Sequence, residues 1–137
     1  MTTGTNMAAG VGPSDWSAHT VRLEFERVPD APRRARLLIG QIVDGALGDA
    51  ARLVTSELVA NVIQHTSSGG VLRAIDQRPD GPLRIEIGDD DPAVPVLAGS
   101  QDGCGGRGLS IVDQLSARWG VQPIEGDGKV IWAELGP

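Results

Sequence analysis

The chain has 137 residues, about one domain's worth, with 18 acidic and 12 basic side chains and a formal net charge of −6. That surplus of carboxylates argues against nucleic acid or an anionic membrane as the main partner, because no excess of cations exists to neutralise phosphates. Lys129 is the only lysine, and its setting, Gly126-Asp127-Gly128-Lys129-Val130, fits neither a Walker A loop nor the strand lysine of an ordinary protein kinase.

Residues 1–16 are rich in Thr, Gly and Ala without periodicity and read as a mobile N-terminal tail, leaving 17–137 as one domain. The tail lacks the basic start and apolar stretch of a signal peptide, and nothing downstream approaches a membrane span, so the expected location is cytoplasmic. One cysteine, Cys104, excludes an internal disulfide, and two distant histidines, His19 and His65, argue against a zinc site. Apolar residues make up 40% and aromatics 3%, which predicts a core of Leu, Ile, Val and Ala.

Residues 19–27 alternate, with Val21, Leu23 and Phe25 on one side and Arg22, Glu24 and Glu26 on the other, as in a half-buried strand. Asp30 is placed to cap a helix with Pro32 in its first turn, running to about residue 47 with Leu37, Leu38, Ile42 and Val43 inward. Gly48 and Asp49 are expected to stop that helix and cap the next, over about 50–65. Gly69-Gly70 ends it. Strands follow at 71–77 and 83–87, joined by the turn-rich Arg78-Pro79-Asp80-Gly81-Pro82. Residues 89–106 are irregular, 106–117 are helical, and 118–123 and 129–134 form two closing strands. This order predicts an α+β two-layer sandwich, with a mixed, mainly antiparallel sheet backed by helices on one face.

Three segments carry chemistry. In Ser56-Glu57-Leu58-Val59-Ala60-Asn61-Val62-Ile63-Gln64-His65, the residues Glu57, Asn61 and His65 recur every four positions. They form one slanted row that starts beside the wet face of Ser56, Ala60 and Gln64 and leans into the arc of Ala51, Val54, Leu58 and Val62. A carboxylate and an amide there cost roughly 1–3 kcal/mol unless they find partners. A ligand or hydrated metal is one source of partners, and solvent at the edge of an amphipathic helix is the other. His65 suits the helix C-terminus through the dipole.

The second segment, Ile85-Glu86-Ile87-Gly88-Asp89-Asp90-Asp91-Pro92, delivers three carboxylates at a strand end. One pointing inward can accept a hydrogen bond from an exocyclic amine or organise a cation; otherwise the three solubilise a sheet edge. The third, Gly103-Cys104-Gly105-Gly106-Arg107-Gly108-Leu109-Ser110-Ile111-Val112, puts a glycine loop before a helix, where backbone N–H groups and the dipole favour an anion. Arg107 can add a charge-assisted bond to phosphate.

Taken in order, these segments resemble the GHKL ATPase superfamily of DNA gyrase, heat-shock chaperone, histidine kinase and mismatch-repair ATPases. Within it the chain resembles the small anti-sigma-factor serine kinases of the RsbW and SpoIIAB type, especially actinobacterial members. Ser56 to Thr66 is similar to the family's N box, Ile85 to Asp89 to its first glycine-box segment and Gly105 to Val112 to its second. The resemblance implies a Bergerat fold with ATP and Mg²⁺ as cofactors. Asn61 would hold Mg²⁺, Glu57 would be the general base and Asp89 would receive the adenine amine. Gly105, Gly106, Arg107, Gly108 and Leu109 would line the phosphates under a short lid at 91–104. The chain departs from the family pattern at Asp91 and Ala93, where glycines are common.

The implied function is an ATP-dependent serine/threonine protein kinase that sequesters a sigma factor and phosphorylates an anti-anti-sigma (STAS-domain) partner, with related proteins suggesting a homodimer. The alternative is a non-catalytic module that binds its partner with or without ATP. A sensor histidine kinase fragment stands third, since the sequence holds no dimerisation helix pair with a phospho-accepting histidine.

Overall fold

The computed structural model describes residues 19–66, 68–91, 106–124 and 128–136. The alternation near the start forms β1 (His19–Phe25), which buries Phe25 and leaves Arg22 and Glu24 exposed. Helix α1 (Ala31–Gly40) has its proline in the first turn, as expected, and buries Ala31, Ala35 and Ile39, a stripe at steps of four. Leu37, expected inward, is 56% exposed. Leu38 and Ile42 are half-buried against the core, and Val43 is buried. The two alanines let α1 approach closely, and that moves the buried face away from the larger leucine. Asp30 precedes the helix, but its carboxylate accepts from Arg33 Nε (2.9 Å) rather than capping a backbone N–H.

The helical break falls at 41–44, not at Gly48–Asp49. The amides of Gln41, Ile42 and Val43 bond back to Leu38 and Ile39 carbonyls, and α2 (Gly45–His65) opens on a glycine with φ +69°. Gly48 lies inside α2, where a Cβ would meet Val43 O at 2.7 Å. Its glycine answers a close approach rather than a helix end. Asp49 pairs with Arg52 on the surface.

A hairpin joins β2 (Gly70–Asp76) to β3 (Leu83–Asp89). Then come α3 (Gly106–Leu115), β4 (Arg118–Pro123) and β5 (Lys129–Leu135). The strands lie in the order β1-β2-β3-β5-β4. The sheet was expected to be mixed and mainly antiparallel; each of its described pairings is antiparallel.

One sheet face packs against the helices through Leu72, Ala74, Leu83, Ile85, Ile87, Ile131 and Ala133, all 0% exposed. Helix α2 crosses β3 and its neighbours, α1 sits by β1, and α3 sits by β4. Because successive strand residues point to opposite faces, the intervening positions form a second face that no described helix covers. There a chain of ion pairs runs Arg118–Glu134–Arg84–Glu86–Arg73. The Arg84 guanidinium lies 4.5 Å above the Trp132 ring, a cation–π contact that lets the arginine pack while paired. No described helix is long and apolar enough to cross a membrane.

Candidate functional site

Ser56 and Glu57 sit on opposite flanks of α2. Ser56 Oγ accepts from Arg36 Nη1 of α1 at 2.7 Å, so that flank is closed, although the sequence had placed Ser56 on the wet face. Glu57 and Asn61, about 100° and 140° further round, take the other flank, and both are half-buried. His65 closes the last turn and is exposed, as suits a helix C-terminus. Thr66 ends the helix, its hydroxyl donating to Val62 O at 2.7 Å.

The end of α2 lies beside the end of β3. Ser68, just past the helix, donates its hydroxyl to Asp90 Oδ2 at 2.7 Å. Asp89 is in the inward phase of β3, with its side chain 1% exposed. Its Oδ1 accepts from Lys129 Nζ at 2.9 Å and from the Asp91 N–H at 2.8 Å, and Lys129 Nζ also donates to Asp91 O at 2.7 Å. Gly128 makes this possible. It holds φ +76°, and a Cβ there would lie 2.1 Å from Asp89 O, so only glycine lets β5 start this close to β3.

Lys129 is the residue that motif reasoning missed. A signal existed: it shares the inward phase of its strand with Ile131 and Ala133, and all three are buried. A lysine there needs a buried partner, and Asp89 is its register partner on β3.

Gly106, Arg107 and Gly108 occupy the first turn of α3, while Gly105 and most of the expected lid lie outside the described residues. Leu109, expected at the phosphates, turns its side chain into the core at 2% exposure, which leaves its backbone for any anion. Only two residues separate α3 from β4, and Trp119 Nε1 donates to Asp113 Oδ1 at 2.9 Å, so the end of α3 sits at the start of β4. Ten residues rise about 15 Å along a helix, so the start of α3 lies about that far from this junction. The end of α2 and the end of β3 meet at one edge of the molecule, and α3 packs against α2. Among the described residues, no group of three or more His, Cys, Asp or Glu side chains forms a metal cage.

The chain is 32% identical over 83 residues to an uncharacterized protein of Streptomyces coelicolor, SCO4941, covering 58% of this chain and 78% of that protein. It belongs to that protein's family. No family model matches the chain. Among solved structures, the histidine kinase domain of a blue-light activated histidine kinase from Erythrobacter litoralis aligns with a TM-score of 0.50 at 20% identity. The match covers 76% of this chain and 62% of that one, so the chain spans less than two thirds of the neighbour's length. The likeness is one of fold: an antiparallel sheet with helices on one face.

Proposed function

We propose that this chain is a Mg-ATP-dependent serine/threonine protein kinase that acts as an anti-sigma factor, capturing a sigma factor and phosphorylating a STAS-domain partner. The observation that carries this reading is that Glu57 and Asn61 lie half-buried on α2, the helix that packs against both α3 and β3, while Asp89 is buried at the end of β3. The histidine kinase fold of the structural neighbour supports the nucleotide part.

Each residue has a role its chemistry suits. Asn61 offers a side-chain oxygen at a half-buried position, as suits a hard cation. Asn61 would hold Mg²⁺, which when bound neutralises phosphate charge. Glu57 takes the proton from the acceptor hydroxyl as its oxygen bonds to the γ-phosphorus and the bond to the ADP oxygen breaks. Asp89 accepts the adenine amine. Both hydrogen bonds to its carboxylate among the described residues fall on Oδ1, which leaves Oδ2 for that amine. The backbone of Gly106 and Gly108 and the Arg107 side chain receive the phosphates.

A second reading rests on the same corner. With Lys129 against it and 1% exposure, Asp89 is a spent acceptor, and the chain is then a partner-binding module without catalysis. Two measurements decide. Calorimetry with ATP, with and without Mg²⁺, should show Mg-dependent binding; no heat favours the module. Phosphate transfer to a candidate STAS protein should fall about 100-fold or more in Glu57→Ala with ATP binding retained. Transfer at the wild-type rate removes Glu57 as the base.

A further inference from the structure

The sheet face that no described helix covers holds a feature that the nucleotide reading touches only at Asp89, which also borders it. In register across the five strands lie Glu24, Val71, Gly88, Val130 and Gln122. The adjoining rows are filled by arginine, glutamate and tryptophan side chains, but this one has a notch at Gly88 between two valines. A pocket of about 410 Å³ opens there, floored by Val71, Val130 and the 47% exposed Ile124 and walled by the Arg73–Glu86 ion pair (3.3 Å). A second hollow of about 390 Å³, bordered by Glu24 and Glu26, shares Gly69, Gly70 and Val71 with it, so the two form one groove across the strand ends.

Gly88 is not explained by the fold. A Cβ there would meet Val130 Cγ2 at 3.8 Å and Lys129 O at 3.9 Å, ordinary contacts. A glycine in a strand gives up packing and chain entropy, and what it yields at this place is room. The rim is acidic. Glu24, Glu26, Glu86, Asp90 and the Lys129-paired Asp89 border the groove against one lining cation, Arg73. Glu24 pairs with Arg22, and Glu86 with Arg84 and Arg73. Glu26 and Asp90 have no cation among the described residues, Asp90 accepting only from Ser68.

We infer that this groove docks an extended segment of another protein, an aliphatic side chain entering the notch at Gly88 and flanking Lys or Arg residues meeting Glu26 and Asp90. Opposite charge steers such a segment and sets its register. The chain's own undescribed residues do not suit, because none of them is Lys or Arg. A second copy, with its formal charge of −6, brings like charge to an acidic rim.

The test uses the full chain, isotope-labelled, titrated with a short capped peptide that alternates Lys or Arg with Val or Leu, and with its twin in which every cation is glutamate. The basic peptide should shift the amides of Val71, Gly88, Asp90 and Val130, and bind several-fold more weakly as salt rises from about 50 to about 300 mM. The twin should leave those amides in place. Gly88→Leu, which fills the notch, should weaken binding at least about tenfold with an unchanged melting temperature. If that variant does not fold, the surface change Glu26→Lys should still weaken the basic peptide about threefold or more. Equal affinity for both peptides, no shift at millimolar peptide, or full binding by the variants overturns the inference. So does a wild-type dimer in sedimentation that Gly88→Leu dissociates, since the occupant would then be a second copy.

Discussion

The two faces of the sheet handle charge in opposite ways. The helix-covered face is apolar in its middle and carries an ion pair at each end: Asp89 with Lys129, whose side chains are 1% and 5% exposed, and Asp76, 9% exposed, with Arg78. The other face carries a charged ladder beside the apolar row of Val71, Gly88 and Val130, with Glu134 at 11%, Arg84 at 23% and Arg118 at 72% exposure. Water screens the outer members of the second set, Arg118 and Arg73, and has little access to the first. An exposed pair contributes about 0–1 kcal/mol, whereas breaking a buried one leaves an uncompensated charge. The buried pair is thus poor value as stabilisation and better understood as specifying where Asp89 points.

That contrast yields a graded set of expectations. The largest concerns Lys129→Met, which strands Asp89 and should lower the unfolding free energy by about 3–5 kcal/mol in urea titration. Adding Asp89→Asn should recover much of it. A loss under about 1 kcal/mol for the single variant would show that water reaches this corner and that the two faces do not differ as described.

Asp76 comes next, a buried carboxylate at the far end of the inward row. Its hydrogen bond from Arg78 outweighs its burial and holds its pKa below the ordinary value. Glu134 on the other face is lowered too, first by its hydrogen bond from Arg118 and then by that from Arg84, against burial. For a lowered acid, the added stability is complete above the unfolded carboxylate value, about pH 4, and disappears as pH falls through the folded value. Melting temperature should therefore be flat from pH 7 to about 5 and drop below about 4. Asp76→Asn should cost about 1.5–3 kcal/mol at neutral pH and flatten that acid limb. An unchanged limb would mean that other carboxylates control it.

The smallest effect belongs to the open ladder. Arg73, 45% exposed and 3.3 Å from Glu86, should cost no more than about 1 kcal/mol when changed to alanine. A larger loss would promote the ladder from a solvated face to a structural one.

Much of this was legible in the residues. Alternation located β1, because a period of two reports directly on a half-buried strand, and turn-rich links bounded the other four described strands to within a few residues. Helix α2 was recognisable from its apolar arc and its row of Glu57 and Asn61. The break before it was misplaced, because a glycine that permits close packing and one that ends a helix look alike until the neighbouring backbone is known. Gly48 is the first kind. Leu37 was assigned inward by size, yet Ala31, Ala35 and Ile39 form the contact stripe, and helical periodicity alone does not weigh closeness against volume.

Local pattern determined the element types, their order, the antiparallel bias and the grouping of chemistry-bearing residues into three segments, because each of these depends on neighbours within one or two turns. Tertiary structure alone decided which flank of α2 carries Glu57 and Asn61, that Asp89 meets a lysine 40 residues away, and that Gly88 stands between two valines on an open face. Those facts are set by strand register and by which helix covers which edge. Both arise from burying many distant side chains at once, and so no short stretch of sequence records them.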